Sequence, residues 1–168
     1  GVEMSSTGEV ACFGSTVEEA FLRSQISVGF HLPKNKKPIL VTLGKWKDKV
    51  DFLTVAEKWQ SLGFTFVGTA GTAHFLEENG FKCEVAHKIS SNKHPNVLDY
   101  LEAGKASLVI NTPNKYSHNE VSDGYLIRRK AIDHNIPLVV NLQIAKLLAR
   151  SMIQVKDITA LEVKAYGE

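Results

Sequence analysis

This 168-residue sequence has few cysteines, no long apolar run and no excess of either charge. Its two cysteines, Cys12 and Cys83, form no C-x-x-C pair, so a disulfide framework is not expected. We expect instead a reducing intracellular compartment. No apolar run approaches the roughly 20 residues that a membrane helix requires. The first residues also lack the charged-then-apolar pattern of a signal peptide. We therefore expect no membrane partner and no secretion.

Charge and histidine spacing argue against two further classes of protein. A net charge of +2 and the lack of an aromatic–basic RNA motif predict no nucleic-acid partner. The six histidines show no ligand spacing such as H-E-x-x-H, so we predict no bound metal and no cofactor. A chain of this length that is 43% hydrophobic fits one domain, which would bury roughly 70% of its unfolded surface.

Short apolar runs alternate with helical patterns from Ile39 onward. Strands are predicted at 39–43, 64–67, 82–86, 107–110 and 136–140. Helices are predicted at 49–62, 72–78, 95–103, 123–134 and 142–152. The first of these places Phe52, Val55, Ala56, Trp59 and Leu62 on one helical face. The last of these is expected to turn Ile144, Leu147, Leu148 and Met152 inward. Together these patterns predict an α/β fold in three layers: a five-stranded parallel sheet with helices on both faces.

The region before the first strand predicts a helix followed by a connector. Ser15 with Glu18, and Thr16 with Glu19, form two overlapping capping-box patterns, so a helix should run from there to about Gly29. Segment 31–38 then contains two prolines and three lysines, which predicts a solvated connector.

The turn 68–72, Gly-Thr-Ala-Gly-Thr, joins a predicted strand to a predicted helix. Glycines let the backbone approach a ligand, and the unpaired N–H groups of a first helical turn favour an anion. Thr69 and Thr72 add hydroxyl groups. This turn is therefore a candidate anion site, and the alternative is that Thr72 merely caps its own helix.

Polar residues also follow the other predicted strands, where ligands bind in open parallel sheets. Lysine supplies charge, and threonine and asparagine supply directed hydrogen bonds. Lys49 is the best candidate among Lys45, Lys47 and Lys49, although such lysines also occur in solvated loops. Alternatively, Asn111 hydrogen-bonds only to the backbone of its own turn. His87 could likewise be a half-exposed strand residue with no functional role. The candidate anion-binding residues are Lys49, Thr69, Thr72, His87, Lys88, Asn111, Thr112 and Asn114.

Several segments together resemble a known family: Ser6-Thr7-Gly8-Glu9-Val10, Glu18-Glu19-Ala20-Phe21, Gly68-Thr69-Ala70-Gly71-Thr72-Ala73, Ile110-Asn111-Thr112 and Ile127-Arg128-Arg129. They resemble the C-terminal end of the large chain of carbamoyl phosphate synthetase, an allosteric domain of the methylglyoxal synthase-like fold. The resemblance implies flavodoxin-like strand order. It also implies a non-catalytic domain that controls carbamoyl phosphate synthesis, an ATP-dependent ligase reaction, elsewhere in the polypeptide.

The same resemblance implies domain boundaries. Residues 1–37 would join the preceding synthetase domain, 38–154 would bind the effector, and 155–168 would form a tail. Arg128 or Arg129 would make a surface ion pair or an interdomain contact, or would turn toward the anion.

The opening segment is similar to the mitochondrial urea-cycle type, which is activated by N-acetyl-L-glutamate. The positions that match its effector site are Thr69, Thr72, Asn111 and Asn114. Two positions depart from that type: His87 stands in place of tryptophan and Gly124 in place of asparagine. Lys49 and Lys88 match instead the phosphate-binding positions of relatives regulated by nucleotides or phosphoribosyl pyrophosphate. The implied location is the mitochondrial matrix in the first case and the cytoplasm in the second.

Two rival functions remain open. Methylglyoxal synthase would need a carboxylate beside the phosphate site for proton abstraction. Thr112 stands where that family has aspartate, and the nearest acids, Glu120 and Asp123, lie farther along the chain. The other rival is an interdomain packing module with a vestigial pocket.

Overall fold

Five parallel strands form one sheet in the computed structural model, which describes residues 11–33, 35–113 and 122–155. The strands are β1 (Ile39–Thr42), β2 (Phe66–Gly68), β3 (Cys83–Val85), β4 (Leu108–Asn111) and β5 (Leu138–Val139). The helices are α1 (Val17–Ser27), α2 (Trp46–Ser61), α3 (Ala70–Glu78), α4 (Val97–Glu102), α5 (Asp123–Asp133) and α6 (Leu142–Gln154). A short 3-10 helix, Ile89–Ser91, lies between β3 and α4. The predicted parallel α/β fold is confirmed.

The strand order is β3-β2-β1-β4-β5. In the middle of the sheet, Ile39 of β1 lies opposite Phe66 on one side and Leu108 on the other. This differs from the flavodoxin-like order 2-1-3-4-5 that the resemblance implied, and it matches the first five strands of the dinucleotide-binding order. The order reverses between β1 and β4, so the crevice lies at the carboxyl ends of these two strands.

Both faces of the sheet are buried under helices. Ile39, Val41 and Ile110 pack into one core with residues of α1, α2, α3 and α6. Leu40 and Val109, which point to the opposite face, pack into a second core with residues of α4 and α5. Because both faces are covered at the centre of the sheet, residues 39–41 of β1 and 108–110 of β4 are apolar without a break, as the sequence runs indicated.

Helix α2 follows its predicted stripe closely. It begins at Trp46, and Phe52, Val55, Ala56 and Trp59 are buried along its inner face. The Trp59 Nε1–H donates to the carbonyl of Ala145 over 3.2 Å, which joins α2 to α6 inside the core.

Helix α6 is rotated relative to its predicted orientation. The expectation for Ile144 is wrong, because its side chain is 42% exposed. Ala145, Leu148, Ala149 and Met152 face the core instead. The physical reason is that α6 packs closely against both α1 and α2, and small alanine side chains permit that approach.

Helix α1 forms only half of one of its two predicted capping boxes, because the Glu19 carboxylate bonds to Ser15, the residue before the N-cap, and not to the N-cap itself. Thr16 is the N-cap, and its hydroxyl accepts from the Glu19 N–H over 3.1 Å. The Glu19 carboxylate reaches back to the Ser15 N–H over 2.9 Å. Glu18 instead contacts Arg150 of α6 over 2.9 Å, so the Ser15–Glu18 box does not form. Hydrogen bonds from Ser15 and Arg23 hold the pKa of Glu19 below its usual value.

The segment after α1 is not the fully solvated connector that its lysines predicted. Leu32 is only 7% exposed and belongs to the same core as Leu22 of α1, which is fully buried. Pro33 is buried as well. Helix α1 therefore packs on the sheet domain, and the boundary at residue 37 stays a prediction. Among the described helices, none combines the length and apolar character needed to cross a membrane.

Candidate functional site

A cavity of about 410 Å³ opens where the strand order reverses. The carboxyl ends of β1 and β4 form its floor, and the loops that follow β2, β3 and β4 contribute to its wall. The polar or charged residues on its surface are Thr42, Thr69, Thr72, Lys88, Ser90, Asn111, Thr112, Ser122, Asp123 and Arg128.

The β2–α3 turn approaches the sheet too closely for a side chain at Gly68. A Cβ atom there would lie 3.1 Å from the carbonyl oxygen of Val41 and 3.2 Å from a methyl group of Thr72. The glycine thus brings the first turn of α3 against β1. As a result, Thr69 and Thr72 both reach the cavity, as predicted.

The alternative that Thr72 caps α3 is wrong. The N-cap is Thr69, whose side chain makes no capping hydrogen bond. Its carbonyl oxygen accepts from the N–H groups of Thr72 and Ala73, each over 2.9 Å. The half-buried Thr69 hydroxyl therefore does not cap its own helix and is placed to contact a ligand in the cavity.

Asn111 is the centre of a polar chain at the cavity floor. It is the last residue of β4 and only 3% exposed. Its Nδ2 donates to Thr42 Oγ1 over 2.6 Å, and its Oδ1 accepts from Arg128 Nη1 over 2.7 Å. The amide thus orients a guanidinium group that lines the cavity, and this group supplies a planar fork of donors for a carboxylate or phosphate.

Gly124 leaves the space in which that guanidinium lies. A Cβ atom at this position would be 3.1 Å from Arg128 Nη1 and 3.7 Å from the Asn111 amide nitrogen. Gly124 lies one helical turn before Arg128 on α5, so the two residues share a face. Any side chain at 124 would crowd the Arg128–Asn111 contact.

Thr112 positions a loop as well as lining the cavity. Its N–H donates to the carbonyl of Thr42 over 3.0 Å, which extends the ladder between β4 and β1. Its hydroxyl accepts from the Gly44 N–H over 3.1 Å. Thr112 therefore fixes the start of the loop that leads to α2.

The two predicted lysines differ in position. Lys88 is exposed and lines the cavity. Lys49 lies beside the first turn of α3, where its Nζ donates to the carbonyl of Gly71 over 3.4 Å, and it is outside the cavity lining. With Arg128, these two residues supply positive charge around the same edge of the sheet.

His87 is not brought into the cavity lining. Its backbone bridges to the segment before α4: its N–H donates to Pro95 over 3.0 Å and its carbonyl accepts from Val97 over 3.1 Å. This bridge closes the base of the loop that carries Lys88 and Ser90. Asn114, the remaining candidate, lies outside the described residues, as does Glu120.

The C-terminal end of that loop is fixed by a capping box at the start of α4. Asn96 Oδ1 accepts from the N–H groups of Leu98 and Asp99 over 2.9 and 3.1 Å. The Asp99 carboxylate accepts from the Asn96 N–H and contacts the His94 ring, each over 2.6 Å. The Asn96 N–H, followed by His94, holds the pKa of Asp99 below its usual range.

Arg128 lines the cavity, although the sequence favoured neither this position nor a surface ion pair nor an interdomain contact for it. Gly124 and Arg128 lie four residues apart, so helical spacing indicates that they share one face of α5. Only the fold shows that this face meets the end of β4. Asp123 also lines the cavity, contrary to the expectation that the nearest acids lie away from it. Among the described residues, no group of three or more His, Cys, Asp or Glu is placed to hold a metal ion.

Hydrogen-bond donors from three strand ends and the two cations Lys88 and Arg128 surround one crevice of an open parallel sheet, a position and a chemistry suited to a small anion. Residues 51–140 match the family model described as the MGS-like domain, and the chain belongs to that family.

Three relatives show the range of proteins that contain a similar segment. The chain is 40% identical over 167 residues to multifunctional protein pyr1-3 of Dictyostelium discoideum, covering 96% of this chain and 7% of that protein. It is 36% identical over 171 residues to multifunctional protein CAD of Squalus acanthias, covering 94% of this chain and 8% of that protein. It is 35% identical over 157 residues to the carbamoyl phosphate synthase large chain, C-terminal section, of Methanopyrus kandleri, covering 94% of this chain and 28% of that protein.

These matches confirm the resemblance to the end of the synthetase large chain. They also show that the chain spans less than a third of the length of each of these relatives.

Proposed function

We propose that this chain is the effector-binding regulatory domain of a carbamoyl phosphate synthase. In this role it holds a small anion in the cavity at the carboxyl ends of β1 and β4, and it controls the ligase reaction of preceding synthetase domains in the same polypeptide. The observation that carries the proposal is the Thr42–Asn111–Arg128 chain, which aims a guanidinium group into a cavity that Lys88 also lines.

The site favours recognition of an anion over chemistry on it. Guanidinium, ammonium and hydroxyl groups donate hydrogen bonds to carboxylate or phosphate oxygens. A charge-assisted hydrogen bond contributes about 1.5–3 kcal/mol, so a few of them would hold a small anion at micromolar strength after ordering costs. The candidate effectors are N-acetyl-L-glutamate, a nucleotide and a phosphoribosyl phosphate.

Regulation requires that the effector bind the active and inactive states with different affinity. We propose that the occupied site stabilises the loop after β1, which the Gly44–Thr112 hydrogen bond already joins to the cavity floor. That loop would then act on the neighbouring synthetase domain. Hydrogen exchange of residues 44–49, measured with and without saturating effector, tests this step: unchanged protection would contradict it.

Calorimetric titration of the chain with N-acetyl-L-glutamate, uridine triphosphate and phosphoribosyl pyrophosphate tests the binding proposal directly. At least one ligand should bind. At 100 times its dissociation constant, that ligand should raise the free energy of unfolding by about 2.7 kcal/mol. A chain that binds none of the three and shows no ligand-dependent stabilisation would be the packing module with a vestigial pocket.

One observation favours a second candidate, methylglyoxal synthase-type lyase activity. Asp123 lines the cavity and could serve as the base that such a reaction needs. Incubation with dihydroxyacetone phosphate separates the two functions, because a regulatory domain should release no methylglyoxal. Product formation that Asp123→Asn abolishes would establish the lyase instead.

A further inference from the structure

The loop that brings Lys88 to the cavity wall is closed at its base by backbone pairing. The His87 N–H donates to the carbonyl of Pro95 over 3.0 Å, and the His87 carbonyl accepts from the Val97 N–H over 3.1 Å. Both ends of segment 88–94 are therefore held together just beyond the end of β3. The position of Lys88 then depends on how the rest of this loop is fixed.

Asp99 of α4 holds the C-terminal end of the loop at two points. Its Oδ2 accepts from the Asn96 N–H over 2.6 Å, and the same oxygen lies 2.6 Å from Nδ1 of His94. The His94 side chain is 70% exposed and that of Asp99 is 32% exposed. One carboxylate thus joins the loop to the helix that follows it, and one of its two contacts is a histidine ring open to solvent.

Hydrogen bonds inside the loop connect the His94 end to Lys88. The Lys93 N–H donates to the Ser91 hydroxyl over 3.3 Å, and that hydroxyl donates to the carbonyl of Lys88 over 2.7 Å. The Ser91 N–H donates to the same carbonyl over 3.2 Å. A change in the His94–Asp99 contact would therefore act on the residue whose side chain lines the cavity.

The charge of His94 is the variable part of this arrangement, because histidine is the side chain that ordinarily titrates between about pH 5 and 8. A protonated ring donates a charge-assisted hydrogen bond to Asp99, whereas a neutral ring lacks that charge. The Asn96 N–H, and then His94, hold the pKa of Asp99 below its usual value. The carboxylate is therefore ionised throughout the range in which a histidine titrates.

The neighbouring charged groups make no hydrogen bond or ion pair with the His94 ring in the described part of the chain. These groups are His87, Lys88 and Lys93 on the loop, Tyr100 and Glu102 on α4, and Lys130 on α5. Tyr100 donates to Glu84 of β3, and Glu102 pairs with Lys130. The ionic contact of the ring is thus with Asp99.

We propose that His94 and Asp99 form a pH-dependent clamp that positions Lys88, so that the chain binds its anion more tightly when His94 is protonated. The proposal rests on the effector-binding function above and adds a regulation of the same site. Affinity should fall as the pH rises through the histidine range, because the clamp weakens while Lys88 and Arg128 keep their charges. The expected decrease is about 1.5- to 5-fold, since an exposed ion pair is weak.

Calorimetric titration of the full chain from about pH 6 to 8.5 tests the clamp. N-acetyl-L-glutamate is the first probe, because its carboxylates stay ionised over this range. Uridine triphosphate and phosphoribosyl pyrophosphate are titrated in parallel, and variants are compared with the parent at each pH so that ionisation of the ligand cancels. His94→Gln, which is neutral at every pH, should bind at the high-pH level of the parent throughout. His94→Arg, which is charged at every pH, should also lack the decline.

Two other histidines supply controls. His74 forms the same kind of exposed pair, with Glu78 over 3.2 Å, but it lies on α3 rather than on the loop. His74→Gln should therefore keep the pH dependence of the parent. His87→Gln tests for a direct effect of charge, because His87 precedes Lys88 in the chain. It should keep the decline as well.

Three results would overturn the clamp. In the first, the parent binds an anion with the same affinity over the whole range. In the second, His94→Gln or His94→Arg keeps the decline. In the third, His74→Gln or His87→Gln abolishes it, which would indicate a general effect of charge near the site. In all three a ligand still binds, so the effector-binding function would stand. If none of the three ligands bound at any pH, that function would fall and the clamp with it.

Discussion

Arg128 Nη1 donates to Asn111 Oδ1 over 2.7 Å, so a cation on α5 is held by an amide at the end of β4. The other end of that amide donates to Thr42 of β1, which leaves the Asn111 side chain one orientation that satisfies both partners. Because β1 and β4 are the strands between which the sheet order reverses, the guanidinium is fixed at the crevice where a ligand is expected.

Removing the Arg128 guanidinium should weaken anion binding. In Arg128→Gln, the loss of one or two charge-assisted hydrogen bonds should lower effector affinity by at least about tenfold in calorimetric titration. Arg129→Gln is the matched control, because Arg129 is exposed and pairs with Asp133 on its own helix at 3.1 Å. Equal losses in the two variants would indicate a general effect of charge and would contradict a specific role for Arg128.

Two glycines of the same turn should respond oppositely to alanine. Gly68→Ala places a methyl group 3.1 Å from a main-chain oxygen of β1, so it should destabilise the fold by about 1–3 kcal/mol. Gly71→Ala places its methyl group 3.6 Å from the mobile end of Lys49, within a helix. It should be neutral or stabilise by up to about 1 kcal/mol.

Urea unfolding of both glycine variants checks this prediction. Similar midpoints for Gly68→Ala and the unsubstituted chain would show that the close approach of the turn to β1 is not required.

Helix α1 should behave as part of the domain core. Leu22→Ala should cost about 2–5 kcal/mol in the free energy of unfolding, because Leu22 is fully buried against the same core as α6. Val17→Ala, on the same helix but exposed, should change it by less than about 0.5 kcal/mol. If both variants unfolded at the same denaturant concentration as the parent, α1 would be a detachable linker, as the boundary at residue 37 implied.

Asp99 should make the stability depend on pH in the acid range. Its folded-state pKa lies below its usual value because the Asn96 N–H, and then His94, stabilise the carboxylate. The stabilisation is therefore complete above the unfolded pKa of about 4 and is lost as the pH falls through the folded value.

Unfolding midpoints of the parent chain and Asp99→Asn, measured from neutral pH into the acid range, test this effect. The parent should be more stable at neutral pH, and the difference should shrink below a pH of about 4. A difference that stayed constant over that range would mean that ionisation of Asp99 does not stabilise the α4 cap.

The sequence predicted the layers of the fold because burial leaves a local pattern. A parallel strand covered on both faces must be apolar throughout, and an amphipathic helix repeats every three to four residues. Helix α2 shows this, since its stripe identified all four of its buried residues. The orientation of α6 could not be predicted in the same way. Ile144 and Ala145 compete for the inner face, and the closeness of α1 and α2 decides in favour of alanine.

Candidate site residues were predictable where they follow strands. Thr69, Thr72, Lys88, Asn111 and Thr112 all reach the cavity because the carboxyl ends of parallel strands share one edge. His87 and Lys49 also follow strands but lie outside the lining, since side-chain direction depends on packing rather than on position in the chain.

By itself, the sequence determined that this is a parallel α/β domain with hydroxyl, amide and cationic side chains at its strand ends, because periodicity and residue chemistry are local properties. Only the tertiary structure decided that β1 separates β2 from β4, that Arg128 crosses to Asn111, and that Trp46 of α2 packs against Phe75 of α3. Each of these relationships joins residues through the pairing of strands or the packing of helices, and such contacts depend on distances in space that no local pattern records.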